Sequence, residues 1–217
     1  DAQEPREMDL LLSTGELVSC TLVTMAIRSL GYPAISLSGA QAGIRTDASH
    51  NRAKIVALDP KRIQEELAQG RIVVVAGFQG VTETMDVTTL GRGGSDTTAV
   101  ALTAALKGDR CEIYTDVEGI YTADPRYVSE ARKLKEIGYD EMLELASYGA
   151  KMHPRSIELG AVYNIPILVA SSFTEGTGTL IHREADMEEQ NKVRGVAVDK
   201  NVAKITLRGI PDKPGIA

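Results

Sequence analysis

The chain contains 217 residues, of which 43% are hydrophobic and 25% are charged, and its formal net charge is −6 at pH 7. This length and composition are typical of one large globular domain, or of one domain and part of another, with a core that needs neither disulfides nor metal ions. The negative charge excludes broad binding to nucleic acid, which requires basic surfaces, but it permits a local basic site for phosphate groups.

The cysteines and the apolar segments indicate the compartment. Cys20 and Cys111 lie in apolar stretches and are interpreted as core thiols in a reducing environment rather than as a disulfide. No uninterrupted apolar run approaches the ~18 residues that a transmembrane helix needs, and no signal peptide opens the chain. We therefore expect a cytoplasmic protein that does not contact a membrane.

The first part of the chain predicts helices and short strands in alternation. The predicted elements are a helix over 17–30 that ends at Gly31, strands over 34–38 and 54–58, a helix from Pro60 to Gly70, and a strand over 71–76. The last of these is a β-branched run typical of a parallel strand that is covered on both faces.

The second part continues the alternation after a long loop over 77–94. The predicted elements are a helix from Ser95 or Asp96 to Lys107, a strand over 112–116, helices over 139–149 and from Pro154, and strands over 165–170 and 179–181. This order predicts an α/β domain with a mainly parallel sheet and right-handed crossovers. The charged segment 183–194 is interpreted as a linker, and the strand and turn patterns of 195–217 as the start of a second domain.

The glycine loop, residues 91–96, is the first candidate for chemistry. Its sequence Gly-Arg-Gly-Gly-Ser-Asp feeds a helix, so its backbone N–H groups and the helix dipole favour an anion. Arg92 adds donors for a carboxylate or phosphate, and Asp96 is suited to order a lysine or to contact an ammonium group or Mg²⁺. The alternative is a capped, glycine-rich turn with a solvated arginine.

The acidic elbow, residues 115–126, is the second candidate. Thr115 and Asp116 end a buried strand, and Tyr121, Asp124 and Arg126 follow in a tight loop. The carboxyl end of a strand is a natural place for a nucleotide, although ordinary turn chemistry explains the same residues. Taken alone, Lys151 is explained as a surface group and Glu16 by helix capping, and the three histidines have no metal-ligand spacing.

Several motifs together resemble the aspartokinases, members of the amino-acid kinase fold. The matching stretches are Gly15-Glu16, Ala76–Gly80, Thr88–Asp96, Tyr114–Tyr121, Ala123–Arg126, Met142–Ala146, Gly149–Lys151 and Gly209–Gly215. The resemblance implies a three-layer amino-acid kinase domain with a mainly parallel sheet over 1–182, a linker over 183–194, and the truncated start of an α+β ACT regulatory domain over 195–217.

The resemblance also implies the activity and the site. Aspartokinases transfer the γ-phosphoryl group of ATP to the side-chain carboxylate of L-aspartate, the first step toward lysine, threonine and methionine. Mg²⁺ would bridge the β- and γ-phosphates, and no protein side chain is assigned to it. The residues implied for ATP are Thr115, Asp116, Tyr121, Arg126, Lys151 and Met152, those for aspartate are Glu16, Arg92, Gly93 and Asp96, and those for catalysis are Asp96 and Lys151.

Regulation and completeness are further expectations from the family. ACT domains of aspartokinases pair across subunits and bind an amino acid, so a homo-oligomer is expected, with lysine or threonine as effector and Asp212 in the effector loop. Family members open with a strand and a Lys-(Phe/Tyr)-Gly-Gly loop, and nothing in this sequence matches it. We therefore expect the 217-residue chain to be inactive by itself or to need that part.

Two other functions remain open from the sequence. One is a kinase of the same fold that acts on another carboxylate, a carbamate or a nucleotide. The other is a non-catalytic regulatory subunit that binds a nucleotide or an amino acid without turnover.

Overall fold

The computed structural model describes residues 4–147, 152–183 and 195–196. Lys151, Asp212, the predicted linker after Arg183 and nearly all of the predicted ACT segment lie outside these residues. The helices are α1 Pro5–Ser29, α2 Lys61–Ala68, α3 Gly94–Leu106, α4 Tyr139–Ser147 and α5 Pro154–Tyr163. The strands are β1 Ala34–Leu37, β2 Ile44–Thr46, β3 Ile55–Leu58, β4 Ile72–Val75, β5 Gln79–Val81, β6 Val87–Thr89, β7 Cys111–Thr115, β8 Glu136–Gly138, β9 Ile167–Ser171 and β10 Thr179–His182.

The strands form three hydrogen-bonded groups in the described part of the chain. One sheet has the order β7-β9-β10-β8, a second has the order β3-β2-β5-β6, and β1 and β4 form a parallel pair. The β-branched run that predicted a parallel strand forms β4 and pairs in parallel with β1, and β7 also pairs in parallel with β9. The second sheet is mixed, since β5 and β6 are antiparallel to each other. The α/β prediction is confirmed.

Two hydrophobic cores meet at α3. The larger core is built on β7, β9, α4 and α5 and contains the fully buried Met142, Ile157 and Ile167. The smaller core lies around β1, β2 and α2. Val100 of α3 belongs to the first core, while Leu102 packs against the second. The helix therefore fixes the two cores against each other, and the glycine loop that precedes it lies at their junction.

Helix α1 buries its polar side and exposes its apolar side. The buried residues are Asp9, Ser13, Cys20 and Thr24, whereas leucine, valine and methionine side chains of the opposite side are exposed. The helix begins at Pro5, twelve residues before the predicted start, because the apolar pattern that predicted it does not follow the buried face. Gly15 and Glu16 therefore lie inside the helix and not at its start.

The composition of α1 also bears on the membrane prediction. By length and composition α1 is apolar enough to cross a membrane, and 17% of its most apolar window is buried. The prediction overlooked it because polar residues interrupt every apolar run. One such helix is weak evidence for a membrane span, since core helices and signal sequences meet the same criterion.

Both cysteines are buried and free, as predicted. The Cys20 thiol donates a hydrogen bond to the carbonyl oxygen of Val74 at 3.1 Å. Burial raises the pKa of both thiols, so neither is activated as a nucleophile.

Candidate active site

The glycine loop has a backbone path that needs its glycines. Gly91 and Gly93 have φ angles of 76° and 70°, which side chains disfavour. A Cβ at Gly91 would lie 2.7 Å from the carbonyl oxygen of Asn51, and one at Gly93 would lie 2.3 Å from the Cβ of His153. The loop therefore packs tightly between two other segments, and Arg92 stands exposed between the two glycines.

The start of α3 differs from the prediction. Gly93 is the N-cap residue, and no side chain caps this end, so the expected cap by Ser95 or Asp96 is wrong. The first-turn amides of an uncapped helix are donors that a ligand can satisfy. The Gly94 amide already donates to the Gly91 carbonyl oxygen at 3.0 Å, so the next amides of this turn are the donors that α3 offers beside Arg92.

Asp96 lies in the first turn of α3 and is half-buried. Burial raises the pKa of its carboxyl group, and the nearby His153 opposes that change. Among the described residues, none forms a hydrogen bond or an ion pair with the Asp96 side chain. The carboxylate is therefore placed to accept a cationic partner that would recover part of the cost of burial.

The acidic elbow lies at the same edge of the structure as the glycine loop. Thr103, near the end of α3, lies close to Cys111 at the start of β7. Helix α3 consequently runs back along β7, and its N-terminus points to the end where β7 reaches Thr115. In register beside it, Thr115 pairs with Ser171 of β9.

The side chains of the elbow are held mainly by one another. Arg126 donates to both oxygens of Asp124, with Nη2 to Oδ2 at 2.7 Å, and its side chain is 80% exposed. The Tyr121 hydroxyl donates to Glu118 at 3.3 Å, and burial is the main cause that raises the pKa of Tyr121. Thr115 donates to Asp116 at 3.1 Å.

Three predicted residues remain. Glu16 is half-buried on the side of α1 that carries Ser13, whose carbonyl oxygen accepts a hydrogen bond from Gln79 of β5 at 3.0 Å. Met152 is 3% exposed and packs in the larger core, so only its backbone is available to a ligand. Lys151 lies outside the described residues, although its neighbour His153 contacts the glycine loop.

Sequence reasoning missed the side chains that support the loop from behind. Arg155, in the first turn of α5, donates from Nη1 to the carbonyl oxygen of Leu90 at 2.8 Å. Its Nη2 donates to the carbonyl oxygen of Ala53 at 3.0 Å. These partners are 65 and 102 positions away in sequence, and no local pattern indicates them.

Asp9 of α1 supports the same region and was also missed. It is fully buried and accepts from the Thr89 hydroxyl at 2.5 Å and from the Asn51 amide at 3.0 Å. His50 Nδ1 lies 2.7 Å from its other oxygen. The sequence spacing of His50, which argued only against a metal site, gave no sign of this partner.

Comparison with known proteins decides the family. The sequence pattern of the amino acid kinase family matches residues 1–171. This chain belongs to the amino acid kinase family. The resemblance to aspartokinases is confirmed as well: the chain is 53% identical to the aspartate kinase of Pseudomonas putida and 56% identical to the aspartokinase of Geobacillus stearothermophilus.

These matches cover nearly all of this chain but only part of each relative. The match covers 100% of this chain but 53% of the Pseudomonas putida protein, and 94% of this chain but 51% of the Geobacillus stearothermophilus protein. The chain thus spans about half the length of the curated relatives it matches.

Solved structures place the chain in the same part of the amino acid kinase family. Escherichia coli aspartokinase III in complex with aspartate and ADP has a TM-score of 0.78 at 36% identity, over 85% of this chain and 42% of that one. Aspartate kinase from Synechocystis has a TM-score of 0.73 at 50% identity, over 85% of this chain and 30% of that one. A UMP kinase from Bacillus anthracis, at 18% identity and a TM-score of 0.61, shares the fold alone.

The described residues of this amino acid kinase contain no cluster of three or more His, Cys, Asp or Glu side chains arranged to hold a metal ion. Mg²⁺ typically keeps several waters and binds through substrate phosphates and one or two carboxylates. Asp96 and Asp116 fit that limited role, and the open amides of α3 fit the phosphate that would accompany the ion.

Proposed function

We propose that this chain is the catalytic part of an aspartate kinase, which transfers the γ-phosphoryl group of ATP to the side-chain carboxylate of L-aspartate. The products are 4-phospho-L-aspartate and ADP, and the reaction begins a cytoplasmic route to lysine, threonine and methionine. The observation that carries the proposal is the uncapped start of α3 beside the exposed Arg92, on a loop that fits only glycine at two positions.

The aspartate subsite would lie along the glycine loop and α1. Arg92 would bind one substrate carboxylate with its paired donors, and Glu16 or Asp96 would bind the substrate ammonium group. Gly93 would let the backbone approach the substrate closely. Because burial raises the pKa of Asp96 and so disfavours its charged form, a cationic partner there would be favourable, either the substrate ammonium group or Lys151.

The ATP subsite would use the acidic elbow. Thr115 and Asp116, at the carboxyl end of β7, would contact the nucleoside, and Tyr121 would offer a face to the adenine ring. Arg126 would turn from Asp124 to a phosphate group. An ion pair this exposed contributes little to stability, so exchanging its partner costs little. Lys151 and the Met152 backbone would complete the site.

The chemistry needs donors rather than a base. An aspartate side chain, with an ordinary pKa near ~3.9, is already a nucleophilic anion at neutral pH. The barrier comes from bringing that anion up to a charged triphosphate, so the site must position both and neutralise their charge. Lys151, Arg92 and the α3 amides would supply positive charge, Mg²⁺ would neutralise the phosphates, and Asp96 would orient a cation.

Regulation and assembly extend the proposal. A similar solved structure is that of Escherichia coli aspartokinase III in complex with lysine and aspartate, at 36% identity and a TM-score of 0.72. We extend to this chain feedback by lysine or threonine, through Asp212 and the ACT-like segment over 195–217, in a homo-oligomer.

The test is a substrate comparison on the full-length gene product that carries this sequence. Coupled ADP release with aspartate, glutamate or UMP is measured, and hydroxylamine trapping identifies the acyl phosphate. We expect turnover with aspartate alone, and Arg92→Met should raise the KM for aspartate far more than that for ATP. Turnover with UMP but not aspartate would indicate another kinase of the fold, and ADP binding by calorimetry with no turnover would indicate a binding subunit.

A further inference from the structure

We propose that Asp9 and Arg155 are positioning residues that fix the loop carrying Arg92, and that they do so by holding the same two segments. The segments are 50–53 and 89–90, and together with Asp9 and Arg155 they form what we call the loop clamp. This inference rests on the proposed function, because it assigns the clamp to the aspartate subsite.

Arg155 controls the point where the loop begins. Leu90 is 1% exposed, and its amide donates to the carbonyl oxygen of Phe78 at 2.9 Å. Its carbonyl oxygen accepts from Arg155. The peptide groups on both sides of Leu90 are thus held, and Arg92 follows two residues later. If the guanidinium were lost, this carbonyl oxygen and that of Ala53 would lose their charged donor, which costs more than an ordinary hydrogen bond.

Asp9 controls the same place as well. Its carboxylate joins Thr89, the residue before Leu90, to the amide of Asn51. The two segments are also joined directly, since the Ala53 amide donates to the Thr89 carbonyl oxygen at 2.9 Å. A buried carboxylate without these donors would be strongly unfavourable, so the arrangement has few alternatives.

The clamp also couples the two subsites. Arg155 follows His153 by two residues, and His153 packs against Gly93. Lys151 precedes the same turn. The Arg155 guanidinium therefore links the turn that carries His153 to the segment that leads into Arg92. Misplacement by about 1 Å lowers a transfer rate by roughly 100-fold.

The experiment compares variants in the full-length protein with matched surface controls. Arg155→Gln and Asp9→Asn remove the clamp, and Arg155→Lys keeps the charge but not the paired geometry. Arg110→Gln and Glu112→Gln each remove an ion pair elsewhere on the surface. The readouts are kcat, the KM for aspartate, the KM for ATP, the melting temperature, and hydrogen exchange of the amides of 90–96.

We expect Arg155→Gln and Asp9→Asn to raise the KM for aspartate and to lower kcat, so that kcat/KM for aspartate falls by about 10- to 100-fold, with less than about a threefold change in the KM for ATP. Amide exchange over 90–96 should accelerate, Arg155→Lys should lie between, and the controls should match the parent. The double variant should be less than additive because both residues hold the same segments.

Three results would overturn the inference. The first is an unchanged KM for aspartate together with unchanged loop exchange. The second is a parallel rise of both KM values with a fall in melting temperature, which indicates a purely structural role. The third is loss of folding in the single variants while Arg155→Lys behaves as the parent. If the parent does not phosphorylate aspartate, the proposed function fails, and loop exchange alone then decides whether the clamp positions the loop.

Discussion

Gly93 offers a sharp test of the glycine loop because the chain contains a matched control. Gly93 and Gly70 have nearly the same φ, +70° and +72°, but a Cβ at Gly93 would lie 2.3 Å from His153 whereas one at Gly70 would have nothing within 4 Å. Alanine in this backbone conformation costs about 1–2 kcal/mol. Forcing a methyl group into a packed contact adds about 1–3 kcal/mol.

Gly70→Ala should therefore destabilise the protein by about 1–2 kcal/mol without affecting catalysis, and Gly93→Ala by about 2–5 kcal/mol. Because Gly93→Ala must move the loop away from His153, it should also lower kcat/KM for aspartate by at least about 100-fold. Thermal unfolding and the coupled ADP assay measure the two effects. Adding His153→Gly to Gly93→Ala removes the Cβ and the ring that the new methyl group would meet, so it should recover the steric part.

Equal losses in Gly93→Ala and Gly70→Ala would show that the contact with His153 does not exist as described. An active Gly93→Ala variant with a normal KM for aspartate would show that the loop does not hold the substrate. No recovery in the double variant would assign the whole loss to the backbone angle.

The remaining predictions concern the core, the charge of Asp96 and the elbow. Ile167→Ala, at a fully buried position, should cost about 2–5 kcal/mol in urea unfolding, whereas Val162→Ala, at a position 74% exposed, should change stability by less than about 0.5 kcal/mol; equal effects would refute the core assignment. Burial raises the pKa of Asp96, so the unfolded chain loses this proton first and the folded state loses relative stability as the pH rises above 3.8. Asp96→Asn should thus raise the melting temperature at pH 7 but not at pH 3. Asp86→Asn should instead lower the melting temperature at pH 7, because its partner Arg6 lowers the pKa of Asp86. A lower melting temperature for Asp96→Asn at pH 7 would contradict the direction expected from burial. Arg126→Gln should raise the KM for ATP by about tenfold with the KM for aspartate unchanged, the reverse of the Arg155 pattern; a rise in the aspartate KM alone would place Arg126 in the other subsite.

The sequence predicted those parts of the fold in which burial coincides with apolar side chains. Strands β4 and β9 are built largely from aliphatic side chains, and the β-branched composition of β4 predicted its parallel pairing, which is with β1. Strands β5 and β6 were placed in a loop because buried polar residues form them. Gln79, Thr88 and Thr89 are 4% exposed or less, since hydrogen bonds satisfy them. A pattern that treats polar residues as surface residues cannot find such strands.

The same limit explains the errors at the site. The glycine loop was found because its glycines and its arginine are adjacent in sequence. The N-cap of α3 was assigned to the side chain of Ser95 or Asp96, whereas Gly93 occupies the N-cap position. The first half of α1 was missed because its buried face carries Asp9 and Ser13. Asp9 binds Thr89 and Arg155 binds Leu90, and in each case the two residues are at least 65 positions apart in the sequence. A single sequence contains no pattern that indicates contacts between residues so far apart.

These misses have a common physical origin in the proposed chemistry. A carboxylate nucleophile needs no base, so the catalytic effect must come from donors that hold two anions together. Donors on a glycine-rich loop are effective only if the loop is rigid, and glycine itself gives none of that rigidity. Buried hydrogen bonds can supply this rigidity, because leaving any one of them unmade is costly. The segments that they join are therefore restricted to one arrangement. The buried polar residues of α1 and the guanidinium of Arg155 thus supply the rigidity that the glycine loop lacks. Their polarity is the reason why a hydrophobic pattern does not detect them, and the same polarity lets them hold Arg92 in place.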